Sequence, residues 1–334
     1  MIDIKLLEQL CLCNGISGDE GNVRNLIINE IKDCADDIKT DNLGNLIVFK
    51  KGKKSAKSKL MVSAHMDEVG LMVTDITSDG YLKFDEVGGI DRRVLPGKRV
   101  CVGRNGLNGV IGVKPIHLTN GDEKTAVPKM NDMYIDIGAE SREDALKYVN
   151  YGDGINFEGD FKINSKTVVT KALDDRFGCY VLINLIKSEP EYDMYFTFVV
   201  QEEVGLRGAR PAAFTVNPDF ALVIESTTAA DVAEVDASHQ VCNLSKGATV
   251  TVMDRATVYD KEMISAAFEL AEKNNISVQY KRAVAGGNDS GAIHQSRGGV
   301  RTLAVSLPSR YIHAPSTAAN LDDCESVLKL AKIL

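Results

Sequence analysis

KLMVSAHMDEVG, residues 59–70, is an almost wholly apolar run that stops at a histidine followed by two acids. The same texture recurs along the chain. KTVVTKAL runs into Asp174, MYFTFVV into the Gln201-Glu202-Glu203 segment, and FALVI into Glu225. Short continuous apolar runs bounded in this way suit strands buried on both faces, as in a parallel or mixed sheet covered by helices. Helical patterns fall between them, at Phe177 to Lys187 and Lys261 to Asn274. The fold class is therefore α/β, a mixed β-sheet flanked by helices. Nearer the N-terminus, Ser17 to Glu20 has the spacing of a capping box, with Val23, Leu26, Ile27 and Ile31 following at helical intervals, which predicts the first helix. DNLGN at 41–45 followed by LIVFK predicts a hairpin.

The length of 334 residues points to two domains, and the texture shows where the second lies. Between Gly70 and Asn164 stand half of the 28 glycines, with GG, NG and PG turn signals and short runs such as KRVCV and NGVIGV. This predicts a small β-rich, barrel-like domain at 70–164, inserted into an α/β domain made of 1–69 and 165–334. Seven scattered cysteines without a CxxC pair predict neither a disulfide framework nor a zinc ribbon. A net charge of -8, from 39 basic and 47 acidic residues, argues against nucleic acid or an anionic membrane as partner. No apolar run approaches the ~20 residues of a membrane span. Asp3, Lys5 and Glu8 interrupt the stretch where a signal peptide needs apolar residues, so a cytoplasmic location is expected. The basic stretch KKGKKSAKSK at 50–59 lies between apolar runs and reads as a solvated turn.

In open α/β sheets ligands sit beyond the carboxyl ends of the strands. Five segments place ligating residue types after apolar runs or in loops: His65 with Asp67, Asp174 with Asp175, Glu202 with Glu203, Glu225, and His313. Carboxylates converging at the end of a buried sheet repel one another, and burying them requires a cation or a basic partner. A pair of divalent ions meets that need, because three carboxylates and one hydroxide carry about -4. Imidazole and carboxylate donors without cysteine favour zinc, cobalt or manganese. Asp67, two residues beyond His65, can accept the ring's second N–H. Of the adjacent glutamates, one can bind metal while the other faces water as a general base.

The motifs SAHMDEVG, KALDDRFGC, VVQEEVGLRGA, LVIEST, GGNDSGA and RYIHAP, in this order and spacing, resemble the M42 metallo-aminopeptidase family, which includes the TET and glutamyl aminopeptidases. The resemblance runs from the N-terminal helix to His313. It implies a zinc-peptidase-like fold in which His65 binds one metal, His313 the other, and Asp174 bridges them. Glu203 and Glu225 complete the two ions, and Glu202 is the general base. It further implies peptide substrates cleaved at the N-terminus, an inserted domain that serves in oligomerisation, and a homo-oligomer of dimers, up to a tetrahedral dodecamer. Three positions depart from the family pattern: Asp175 stands where Asn is more frequent, Glu225 where Asp is frequent, and Ala314-Pro315-Ser316-Thr317 lacks the usual acid after His313.

Three rivals share the residue set: a two-metal amidohydrolase such as a deacylase or carboxypeptidase, a glycosidase using paired carboxylates, and a non-catalytic scaffold. His117, His239 and His294 do not pair with acids at strand ends and read as surface or structural residues. The GGNDSGA loop at 286–292 lacks the lysine of a phosphate-binding loop and reads as a tight turn before a helix.

Overall fold

The computed structural model describes residues 2–122 and 124–334. Asp3 opens α1 (Ile4–Leu12), its carboxylate accepting the N–H groups of Lys5 and Leu6. Helix α2 (Gly21–Ile31) buries Val23, Ile27 and Ile31 on one stripe. Strands β1 (Asp37–Thr40) and β2 (Leu46–Lys50) form the expected antiparallel hairpin. The Asp41 carboxylate ties its turn by accepting N–H from Leu43, Gly44 and Asn45. Strand β3 (Leu60–His65) then runs to its final residue, His65.

The chain next enters a closed barrel of β4 (Gly70–Ile76), β5 (Leu82–Val87), β6 (Arg99–Val102), β7 (Leu107–Gly112), β8 (Tyr134–Asp136) and β9 (Gly154–Phe157). Its order is β4-β5-β8-β7-β6-β9, with the short helix α3 (Arg142–Ala145) before the last strand. Leu71, Val73, Phe84, Val100, Ile111, Ile135 and Ile155 fill a core separate from that of the main body.

Strand β10 (Lys162–Asn164) pairs antiparallel with β11 (Thr167–Thr170) in the large sheet, so the barrel's last strand ends ahead of residue 164. There follow α4 (Leu173–Ile186), β12 (Met194–Val199), α5 (Ala209–Val216), β13 (Phe220–Thr228), β14 (Ala248–Val250) and α6 (Lys261–Lys273). The last elements are β15 (Val278–Tyr280), α7 (Ser290–Ile293), β16 (Arg301–Arg310), β17 (Thr317–Asn320) and α8 (Leu321–Ile333). The eleven-stranded mixed sheet has the order β1-β2-β12-β3-β13-β16-β17-β11-β10, with β14 and β15 attached to β16. β12, β3, β13 and β16 run parallel, which brings their carboxyl ends to one edge. Helix α4 is enclosed: every residue but Asn184 is buried, between the sheet and α1, α2 and α8, and beyond its charged first turn it is almost wholly apolar.

Two local readings of the sequence give way. The first helix is α1, ahead of the one expected, and Ser17 to Glu20 makes no capping box. The Ser17 hydroxyl donates instead to the Asp67 carboxylate at 2.6 Å, while Glu20 accepts from the N–H groups of Gly18 and Gln201. A bond to a buried carboxylate is stronger than a neutral cap, and it takes the hydroxyl away from the helix. Among the described residues no helix is long and apolar enough to cross a membrane.

Candidate active site

Because β3, β12, β13 and β16 are parallel, the residues at or beyond their carboxyl ends face one crevice. β3 delivers His65, the turn after β12 delivers Glu202 and Glu203, and the loop after β16 delivers His313. Glu225 lies within β13, which continues to Thr228 rather than stopping at the acid. Asp174 comes from the first turn of α4, where Ala172 is left-handed and the Asp174–Asp175 peptide is cis.

The carboxylate of Asp174 lies between the two histidines. Its Oδ1 is 3.3 Å from His65 Nε2 and its Oδ2 is 3.6 Å from His313 Nε2. Glu225 Oε1 is 3.3 Å from His65 Nε2 on one side, and Glu203 Oε2 is 3.2 Å from His313 Nε2 on the other. Two sets of converging donors result, His65-Asp174-Glu225 and Asp174-Glu203-His313, sharing Asp174. His65, Glu202 and Glu203 form a third close group.

The ring orientations are fixed from behind. His313 Nδ1 meets the carbonyl of Gly89, a residue of the segment that follows β5, at 2.9 Å. For His65 the nearer partner of Nδ1 is the Asp67 carbonyl at 3.0 Å, with the Asp67 carboxylate at 3.5 Å. That carboxylate has a further occupation. It accepts the N–H groups of Glu202 and Glu203, which pins the backbone of the glutamate pair. Asp175 accepts the N–H groups of His65 and Gly178, tying α4 to β3.

The electrostatics are those of crowded acids in a dry place. Burial pushes Glu225 well above the usual carboxylate range, and Asp174 adds to it against His65. Burial likewise raises Glu203, opposed by His313. Glu202 is pushed well up by burial, with His65 opposing and Glu225, Asp289 and Glu203 adding. Although burial disfavours their charged forms, the surrounding carboxylates hold His65 well above its ordinary range and His313 up to about 11. The nearby buried bases are engaged elsewhere: Lys171 and Arg176 both pair with Glu68. Glu225 Oε2 is buried without a hydrogen-bond partner. An imidazole and carboxylate donor set, with the nearby Lys171 and Arg176 paired to Glu68 and with one orphaned oxygen, fits divalent cations.

The sequence reading missed two contributors. Ser17 was hidden by its helix-start pattern. Asp289, in the GGNDSGA loop, is wholly buried with neither carboxylate oxygen bonded, and only its residue type beside glycines signalled it. His294 bonds the Ser290 carbonyl within its own turn, a structural role.

A family model described as M42 glutamyl aminopeptidase matches residues 44–330. A putative aminopeptidase of Acetivibrio thermocellus is 43% identical over 327 residues, 97% of this chain and 96% of that protein. The crystal structure of a TET aminopeptidase from the marine sediment archaeon Thaumarchaeota archaeon SCGC AB-539-E09 superposes with a TM-score of 0.94 at 33% identity, covering 98% of this chain and 94% of that one. The TET1 peptidase of Pyrococcus horikoshii, described as assembling into a tetrahedron or a large octahedral shell, gives 0.87 at 39% identity, covering 98% of each chain.

Proposed function

The chain belongs to the M42 glutamyl aminopeptidase family and is a peptide hydrolase, and from that premise we propose that it is a dinuclear metal-dependent aminopeptidase. His65, Asp174 and Glu225 hold one divalent ion, and Asp174, Glu203 and His313 hold the other. The observation that carries this reading is Asp174, with one oxygen toward each histidine. Zinc, cobalt or manganese in these positions would supply Lewis acidity to a scissile carbonyl and acidify a water.

The chain's own groups supply the rest. Glu202 has no hydrogen-bond donor on its carboxylate among the described residues, so it is open to take the proton of the attacking water and return it to the leaving amine. Asp67 holds Glu202 and Glu203 by their N–H groups, so that one faces water while the other faces the ions. The substrate is a peptide with a free N-terminus. The inserted barrel is the assembly domain, pairing subunits into dimers from which a closed homo-oligomeric shell is built; the similar TET1 peptidase can assemble into a tetrahedron or a large octahedral shell.

Glu202→Gln tests the reading. Turnover of aminoacyl anilides should fall by about 10²–10⁴-fold or more while elemental analysis still finds about two divalent ions per chain. A Glu202→Gln protein with wild-type turnover removes Glu202 from the mechanism. Hydrolysis of N-acylated amino acids in place of aminoacyl anilides would move the chain to the deacylases.

A further inference from the structure

Asp289 begins α7 but does not cap it. An aspartate at this position ordinarily accepts an N–H of the first helical turn, yet its side chain makes no such bond. Asn288 takes that part, its Oδ1 accepting the Ser290 N–H at 2.9 Å while the amide also pairs with the Tyr259 hydroxyl. Tyr259 in turn donates to Asp254 at 2.6 Å. The loop is thus held without Asp289, although the Ser290 hydroxyl beside it is likewise buried without a partner. The Asp289 carboxylate is left wholly buried, and neither oxygen has a partner. An unpaired carboxylate in such a place costs stability, so its presence calls for a use.

The packing of α7 locates that use. At Gly291 an added β-carbon would stand 3.1 Å from the Leu206 side chain. Leu206 closes the turn of the glutamate pair, its N–H donating to the Glu202 carbonyl at 2.9 Å. α7 also packs on α5, the helix that follows this turn. Glu202 feels both Glu225 and Asp289, whereas the strongest neighbours of Asp289 are His65, Asp67 and Glu203. Glu202 and Asp289 thus both lie within reach of the proposed ion centre, on the side where α7 packs against the turn that Leu206 closes. The Glu202 backbone is pinned by Asp67, but among the described residues nothing is bonded to its carboxylate.

We propose that Asp289 is a positioning residue for Glu202: its buried negative charge closes off the inner side of the turn and keeps the Glu202 carboxylate directed at the ions and the attacking water. The inference rests on Glu202 being the general base. Burial pushes Asp289 up to about 7, and cations at the centre would favour its ionised form.

Asp289→Asn keeps the shape and removes the charge. In the metal-loaded enzyme kcat should fall at least tenfold, with KM within about twofold of wild type, two ions retained, and a melting temperature equal to or above that of wild type. The crystal structure of the variant should show the Glu202 carboxylate turned toward residue 289. Wild-type kcat with Glu202 unmoved overturns the proposal. So does a loss of activity that follows a lowered melting temperature, because that marks Asp289 as structural. Asp289→Ser repeats the test in a smaller side chain, and failure of both variants to fold likewise overturns it. Glu202→Gln measured alongside separates the two readings: if that variant is active the base is misassigned, and if it is inactive while Asp289→Asn is normal, only the positioning role fails.

Discussion

Glu203 and Glu225 hold carboxyls whose proton affinity is raised by burial, and His313 is held as an imidazolium by Asp174 and Glu203. A cation entering this site competes with protons for these groups. Acids with raised pKa values keep their protons to higher pH, so lowering the pH favours the protonated, ion-free form, and affinity should fall as the solution is acidified. Equilibrium dialysis against zinc is expected to find about two ions per chain at pH 8 and fewer than one at pH 5. Unchanged occupancy across that interval would show that the carboxylates do not bind the ions. At this scale the candidate site was legible wherever chemistry resides in residue type and in the end of an apolar run, as with His65, Asp174, the glutamate pair and His313. Asp67 was legible as a neighbour of His65, but the part its carboxylate takes was not. That part depends on where the Ser17 hydroxyl and the N–H groups of a distant turn arrive, which no local pattern encodes.

At the scale of elements, the junction of the two domains is closely packed. Gly70 begins β4, and a β-carbon there would lie 2.2 Å from Ile16 Cγ2 and 2.7 Å from the Ile155 carbonyl of β9. Either the N-terminal segment or the barrel ladder must move to admit it. Gly70→Ala is expected to cost about 1–3 kcal/mol, as overpacking does in well-packed interiors, measured as a shift of the urea midpoint at unchanged slope. No shift would mean that the junction yields freely. The hairpin around Asp41–Asn45, α4 and α6 could be read from turn chemistry and periodicity because their signals are local. Helix α1 could not: it is only nine residues long, and Lys5, Glu8 and Gln9 interrupt its apolar residues. β10 could not either, since a strand of three exposed residues, Lys162–Asn164, is defined by its partner β11 and not by its own pattern.

At the scale of the whole molecule, the barrel carries apolar surface that its own core does not use. Ile116, 72% exposed, and Leu118, 60% exposed, stand in the connection between β7 and β8, and Ile116 lines a groove with Val127. Contiguous exposed apolar residues of this kind mark contact surfaces. A two-fold contact closes at two copies, so a larger shell needs a second, different contact elsewhere on each subunit. If the proposed role of the barrel is right, the doubly substituted Ile116→Asp, Leu118→Asp protein should lose the dimer contact, and light scattering after size exclusion should report a species smaller than wild type. His65, Asp174, Glu202, Glu203, Glu225 and His313 all come from one chain, and His313 is oriented by Gly89 of that same chain. Aminoacyl anilide turnover per subunit should therefore remain close to that of wild type. An unchanged mass would place the contact on another face. A smaller species with no turnover would show instead that a neighbouring copy completes the site.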